Sequence, residues 1–425
     1  MSFVEMLKND YGIGERALDL YFGASEEASG HYKIIDENAE FNSLRVLAAM
    51  QKNRLSETHF TSVTGYGYND PGREATEKIY ADIFKSEAGL VRPQMISGTH
   101  ALTIALSGNL SHGDTLLLPA GKPYDTLTKV IGIKKARASL KENGVDHIII
   151  DLNGDESFNY DEIGRTISTN KIRMAAIQRS KGYSLRRSFS NEEIGRLIKF
   201  IKNADKNIIC MVDNCYGEFV EKTEPGDHGA DLTVGSLIKN PGGGISPAGG
   251  YICGKNELVE NCAYRLTAPG LGKDVGPTLG LTNRVLQGLF LAPGVVAAAL
   301  KAAVFASVIF NKLGFETTPK PGDFRTDIVQ TIRFNDKKFA EIFIQGIQKG
   351  SPVDGFVTPV PAPMPGYDCE IIMAAGTFTQ GSSIELSADA PLREPYAAFL
   401  QGGLSYDYAR LGIIIAVDHL LKNSD

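Results

Sequence analysis

From about residue 72 the chain alternates short apolar runs with amphipathic stretches. The runs are Gly89–Val91, Thr115–Leu118, His147–Asp151, Arg173–Ile177, Ile208–Asp213, Leu232–Gly235 and Gly250–Cys253. Their β-branched and apolar content predicts strands buried on both faces. The spacing between them predicts helices, among them Thr99–Ser107 and Asn191–Ile201. The second opens on Ser190-Asn191-Glu192-Glu193, the spelling of a reciprocal N-terminal cap. Strand, helix, strand in repetition is the pattern of an α/β domain with a mostly parallel sheet flanked by helices.

Upstream, Asp36–Arg54 places Phe41, Leu44, Leu47 and Met50 at helical spacing, which predicts an N-terminal helical arm ending before a polar, aromatic loop, His59–Pro71. Downstream, Leu281–Leu313 reads as one long helix. Its segment Gly288–Phe310 is mostly apolar, but Pro293-Gly294, Lys301 and a high alanine content favour a buried helix over a membrane span. The texture then changes. Asp327–Phe334, Cys369–Ala374 and Ser383–Ser387 read as strands, Lys337–Gln348 and Tyr406–Lys422 as helices, and Ser351–Pro365 as a proline-rich loop. We therefore expect an N-terminal helical arm and loop at 1–71, a large α/β domain at 72–304 and a small C-terminal α+β domain at 305–425.

Composition narrows the function classes. The 425 residues carry 44 Lys+Arg against 50 Asp+Glu, a net charge of −6, which argues against nucleic acid as a partner. Cys210, Cys215, Cys253, Cys262 and Cys369 are odd in number and lack C-x-x-C spacing, so neither a disulfide framework nor a zinc site is predicted, and the seven histidines lack metal-ligand spacing. With charges where an export signal needs an apolar core, the N-terminus points to the cytoplasm. No metal, nucleic acid or membrane partner is expected. The 45 glycines are an excess that needs an explanation.

In an open α/β sheet the ligand lies beyond the carboxyl ends of the strands. One predicted strand stops on Asp213 and a later one delivers Ser236 and Lys239 into Pro241-Gly242-Gly243-Gly244, 239 − 213 = 26 residues on. Alone, each is better read as a turn former or a solvated lysine. Together they are what a pyridoxal-phosphate enzyme requires: a lysine for the Schiff base with the cofactor aldehyde and an acid for the protonated pyridine nitrogen. Ser97-Gly98-Thr99 falls between a strand and a helix, where backbone N–H groups and hydroxyls converge on an anion. Tyr124 in Leu116–Thr128 offers an aromatic face. Gly242, Gly243, Gly244, Gly249 and Gly250 cluster after the lysine, predicting backbone drawn close around a planar cofactor.

On the stretches SGTHA, PYDTL, VDNCYGEF and GSLIKNPGGGISPAGGYI, the chain resembles the fold type I pyridoxal-phosphate enzymes of sulfur amino-acid metabolism over nearly its whole length. More narrowly it is similar to the cystathionine β-lyase and methionine γ-lyase-like aluminium-resistance group. The resemblance implies a fold type I transferase-like fold and pyridoxal 5'-phosphate as cofactor. It implies Lys239 as the Schiff-base lysine, Asp213 on the pyridine nitrogen, and Tyr124 stacked on the ring as a proton donor. Ser97, Gly98, Thr99 and Ser236 fall to the phosphate. Tyr66, Tyr68 and Arg73 in Gly65–Glu74 would reach a neighbouring subunit's phosphate site, implying a homodimer or homotetramer with shared sites. The substrate carboxylate would meet Arg393 or Arg410 of the small domain.

The function so implied is elimination from the β or γ carbon of a sulfur amino acid, giving thiol, ammonia and a 2-oxo acid. Ile238 stands where the better-known lyases place Ser or Thr before the lysine, which leaves the substrate open. An aldolase or aminotransferase on the same cofactor is the enzyme alternative. A pyridoxal-phosphate- or phosphate-binding stress-response protein without turnover is the alternative of another class.

Overall fold

The computed structural model describes residues 2–364 and 367–423, so Pro365 of the proline-rich stretch lies outside the described residues. The chain forms two compact units, one of residues 41–292 and one of residues 1–40 with 293–425.

The N-terminal stretch is helical: α1 (Phe3–Tyr11), α2 (Glu15–Ser29) and α3 (Lys33–Lys52). Helix α3 covers the predicted arm; of its apolar stripe Met50 is buried, but the other three side chains face outward. Phe41, Leu44 and Leu47 are 46, 66 and 40 % exposed, whereas Asn42 and Val46 are fully buried. Polar contacts set this orientation: the Asn42 amide donates to the carbonyls of Phe219 and Glu221, both at 3.0 Å, and Arg45 pairs with Glu224 at 3.3 Å. Buried hydrogen bonds that would otherwise be lost outweigh a stripe of three apolar side chains.

In the 41–292 unit, α4 (Pro71–Ile83) leads into β1 (Ala88–Arg92), α5 (Gly98–Asn109), β2 (Thr115–Leu118), α6 (Asp125–Ile131), β3 (Asp146–Ile149), α7 (Tyr160–Thr169), β4 (Ile172–Gln178), α8 (Asn191–Ala204), β5 (Ile209–Asp213), β6 (Leu232–Ser236), β7 (Gly250–Gly254) and α9 (Asn256–Leu266). The strands form one sheet in the order β1-β7-β6-β5-β4-β2-β3. Every pairing from β6 to β3 is parallel; β7 runs antiparallel to both β6 and β1. The apolar runs of the sequence thus become a mostly parallel α/β sheet. Period-two alternation feeds two cores. Leu116, Met174, Met211 and Val234 pack with α5 and α9 on one face, and Leu117, Ala175, Cys210 and Val212 with α7 and α8 on the other. The predicted reciprocal cap is present, Ser190 and Glu193 each bonding the other's backbone N–H at the start of α8.

Helix α10 (Thr282–Lys312) contains Pro293. It is long and apolar enough to cross a membrane, yet 72 % of its most apolar window is buried in the protein, as in a core helix. The second unit carries β8 (Glu316–Thr318), β9 (Gln330–Arg333), α11 (Lys337–Lys349), β10 (Ala362–Pro363), β11 (Glu370–Ala374), β12 (Ser387–Pro391), β13 (Ala397–Gln401) and α12 (Tyr406–Asn423). Its sheet is antiparallel throughout, ordered β10-β11-β12-β13-β9-β8. The strand expected at Ser383–Ser387 instead begins at Ser387. The preceding residues form a loop held by other bonds: the Glu385 carboxylate accepts from the N–H groups of Phe378 and Thr379, and Gly403 N–H donates to the Ile384 carbonyl.

Candidate active site

The carboxyl ends of β4, β5 and β6 bring Gln178, Asp213 and Ser236 side by side, and the N-terminus of α5 closes the group. A Cβ built on Gly98 would lie 3.4 Å from Ser236 Cβ and 3.5 Å from Cys215 Sγ. The first turn of α5, the end of β6 and the turn after β5 therefore touch. They open onto a cavity lined by Lys239, Asp213, Tyr124, Gly98, Thr99 and Gln178, among others.

Each side chain has a local cause for its place. Ser97 caps α5, its hydroxyl accepting from His100 N–H at 3.1 Å, so that the N–H groups of Gly98 and Thr99 point out of the helix end. The Thr99 and Thr126 hydroxyls bond each other at 2.8 Å. Tyr124 precedes α6; its backbone N–H donates to Gln178 Oε1 at 2.6 Å, and its ring packs edge-on against Tyr183. Tyr216 adopts φ of 73°, a left-handed conformation unfavourable for a bulky residue. That turn brings its ring within 3.9 Å of Lys239 Nζ.

The electrostatics follow from burial. Asp213 accepts from Cys215 N–H at 3.1 Å; burial raises its pKa, with Lys239 and the Cys215 N–H opposing. For Lys239, burial works to lower the pKa, but Cys215, Tyr216, Asp213 and Glu218 outweigh it and the net direction is up. Burial and Asp213 push Cys215 well up, so it packs as a neutral thiol.

Lys239, Asp213, Tyr124, Gly98 and Thr99 thus share one cavity, with Ser236 in contact beneath Gly98 and Ser97 acting as helix cap. Tyr66 and Tyr68 are 72 and 56 % exposed and stack on each other. Arg73 is buried and spends both terminal nitrogens on carbonyls of its own chain: Gly67, Gly276 and Asp274. In the other unit, Arg393 is exposed in the turn after β12. Arg410 lies over Tyr406 and bonds Asp407 at 2.5 Å. The glycine run after the lysine serves backbone packing instead of lining the cavity. A Cβ on Gly242 would stand 1.9 Å from the Leu237 carbonyl, and one on Gly243 would stand 2.4 Å from that of Gly288.

The family profile of methionine gamma-lyase matches residues 17–421. The chain belongs to the methionine gamma-lyase family. Protein YnbB of Bacillus subtilis strain 168 is 50 % identical over 398 residues, covering 93 % of this chain and 94 % of that protein. A solved carbon-sulfur lyase involved in aluminium resistance from Clostridium novyi NT is 48 % identical, with a TM-score of 0.94 over 98 % of this chain and 99 % of that one. A Clostridium acetobutylicum structure named for cystathionine beta-lyase and aluminium resistance is 47 % identical, with a TM-score of 0.95 over 99 % of both chains. Within the methionine gamma-lyase family the chain groups with the aluminium-resistance carbon–sulfur lyases, fold type I pyridoxal-phosphate enzymes of cysteine and methionine metabolism.

In this family member a buried polar layer underlies the cavity, and sequence reasoning missed it. Arg179, fully buried, donates to Asn214 Oδ1 and Glu221 Oε1, both at 2.6 Å; Asn214 donates on to Glu224 at 2.9 Å. Glu218 accepts from the Tyr251 hydroxyl at 2.9 Å. Gln178 and Ser180 were also missed, although the rule that found Asp213, a polar residue closing an apolar run, applies equally to Gln178 at the end of β4.

Proposed function

We propose that the protein is a pyridoxal 5'-phosphate-dependent carbon–sulfur lyase that eliminates a thiol from the β or γ carbon of a sulfur amino acid, releasing ammonia and a 2-oxo acid. The observation that carries this reading is the meeting of Lys239 and Asp213 in one cavity, beside the capped start of α5. The residues fit the cofactor chemically: a buried lysine, a buried acid a strand away, a helix N-terminus with Ser236 beneath it for the phosphate, and Tyr124 on the wall.

Bound there, pyridoxal phosphate supplies an electron-withdrawing ring that stabilises the charge left at the substrate's α-carbon. Lys239 would remove the α-proton. Asp213 would pair with the cofactor's ring nitrogen and hold it protonated. Ser97, Gly98, Thr99 and Ser236 anchor the phosphate, and Tyr124 gives a proton to the departing sulfur. The exposed Tyr66 and Tyr68 serve the site of a second copy, making a homodimer or homotetramer the working unit; Arg73 acts from within by fixing their loop. As a division of labour, 72–304 carries the cofactor, 305–425 binds substrate, and 1–71 joins subunits.

The purified protein should show a visible cofactor absorbance band that Lys239→Ala abolishes together with activity. Ammonia and 2-oxo acid should appear with cystathionine, methionine or cysteine. An aldehyde from threonine, or nitrogen transfer without net ammonia, would replace this reading with aldol cleavage or transamination.

A further inference from the structure

The Tyr124 ring is backed by the loop that follows β4. Residues 179–189 leave the strand and return to its end: Phe189 N–H donates to the Arg179 carbonyl at 3.1 Å, and Arg179 N–H donates to the Asp213 carbonyl at 3.1 Å. Inside the loop, Ser184 N–H closes on the Lys181 carbonyl at 3.1 Å and turns the chain at Gly182 and Tyr183. Arg186 braces the two limbs, its Nη2 donating to the Gln178 and Ser180 carbonyls at 2.9 and 3.0 Å. The loop is thereby tied to the same strand end that carries Asp213, where Gln178 and Asp213 pair in register.

Two residues of this region meet Tyr124 directly. Gln178 joins its segment to the loop: Oε1 accepts from Tyr124 N–H at 2.6 Å, and Nε2 donates to the Ser180 carbonyl at 2.8 Å. Gly182 adopts φ of 58° and lies against the ring itself. A Cβ built there would stand 2.7 Å from Tyr124 Cδ2 and 3.2 Å from Cε2, with Gln178 Nε2 next at 3.6 Å. No side chain fits between loop and ring, so the ring rests on bare main chain. Tyr183 closes a further side edge-on, with ring centroids 5.4 Å apart. One hydrogen bond thus fixes the Tyr124 backbone, and one glycine surface limits where its two side-chain torsions can place the ring.

We infer that Gln178 and Gly182 are positioning residues for the Tyr124 ring, Gln178 through its backbone and Gly182 through the face on which the ring comes to rest. The inference deepens the lyase reading above and rests on it for the part Tyr124 plays beside the cofactor and the departing sulfur. The size of the effect follows from the contact. Ordinary van der Waals contact begins at 3.4 Å, so a methyl group at 182 must drive the ring away by 3.4 − 2.7 = 0.7 Å. Arg186 and Gln178 hold the loop, which leaves the ring as the part that yields. Misplacing a reacting group by about 1 Å costs on the order of 100-fold in rate.

Gly182→Ala tests the resting surface, and Gly113→Ala is its comparison, because Gly113 has a left-handed φ of 87° with nothing within 4 Å of an added Cβ. In the full-length, cofactor-loaded protein, Gly182→Ala should alter the sign or intensity of the cofactor's visible circular-dichroism band and lower kcat about tenfold or more, while Gly113→Ala matches the wild type in both. Gln178→Leu, which removes the hydrogen bond and adds no bulk at the ring, should change the band and kcat in the same direction, and it carries the test if Gly182→Ala does not fold. A wild-type band and kcat in folded Gly182→Ala or Gln178→Leu overturns the positioning role. Urea unfolding of the full-length cofactor-free chain tests the contact itself: Gly182→Ala should lower the midpoint less in a Tyr124→Ala background than in the wild type. An equal loss in both backgrounds overturns it. Dichroism and unfolding need no turnover, so a wild type that shows the cofactor band and eliminates no thiol sinks the lyase reading alone and leaves these two measurements to decide the placement of the ring.

Discussion

Glu218 makes the stability of this protein depend on pH in a direction opposite to that of a paired surface carboxylate. It is fully buried, one oxygen accepts from Tyr251, and the other has no hydrogen-bond partner among the described residues. Burial, reinforced by Glu224, pushes its pKa from 4.5 up to about 8. The difference, 8 − 4.5 = 3.5 units, corresponds to ~5 kcal/mol at about 1.36 kcal/mol per unit. Between these values the folded chain keeps a proton that the unfolded chain has released. The contribution is therefore whole below the unfolded pKa of 4.5 and is lost as pH rises through about 8. Glu218→Gln retains an acceptor for Tyr251 and removes the titration. Urea unfolding of the cofactor-free chain at about pH 6 and about pH 8 should cost the wild type ~2 kcal/mol more than the variant over that interval, a midpoint difference of roughly 2 M or less. Parallel pH profiles for the two proteins would refute the assignment of Glu218 as a neutral acid in the fold.

Two further outcomes test other features. Gly242→Ala should destabilise the chain by ~2 kcal/mol or more in chemical denaturation because its Cβ meets the Leu237 carbonyl, whereas Gly154→Ala, with nothing within 4 Å, should stay within ~0.5 kcal/mol. Leu44→Glu on the outward stripe of α3 should keep the circular-dichroism spectrum and lower the mass measured by light scattering toward a single chain; a wild type that is already a single chain removes the reasoning.

What the sequence could say divides along a physical line. Strands β1, β5, β6 and β7 were legible because every residue in them is buried, and β2 was too: Thr115–Leu118 reads and folds as the same four residues. The pairing of Lys239 with Asp213 came from two strand ends taken together. The face of α3 was not legible, because Asn42 is turned inward by carbonyls of Phe219 and Glu221, about 180 residues away along the chain. Nor was β13, whose Ala397–Gln401 carries too little pattern to distinguish a strand from a loop. The glycine excess was visible but its reason was not: Gly242 and Gly243 answer to the backbone of Leu237 and Gly288.

The placement of β7 has a consequence for how the chain is made. Strand β1 is the first of the sheet to be synthesised, lies at its edge, and pairs only with β7, which is the last. From Arg92 to Gly250 is 250 − 92 = 158 residues, so at typical elongation rates β1 waits roughly 8 to 32 s for its partner. During that interval its five residues, all buried in the finished protein, are open to other strands and to chaperones. Closure of the sheet around β6 and Lys239 is thus a late event of biosynthesis, and a nascent chain stalled before residue 250 carries an unpaired β1.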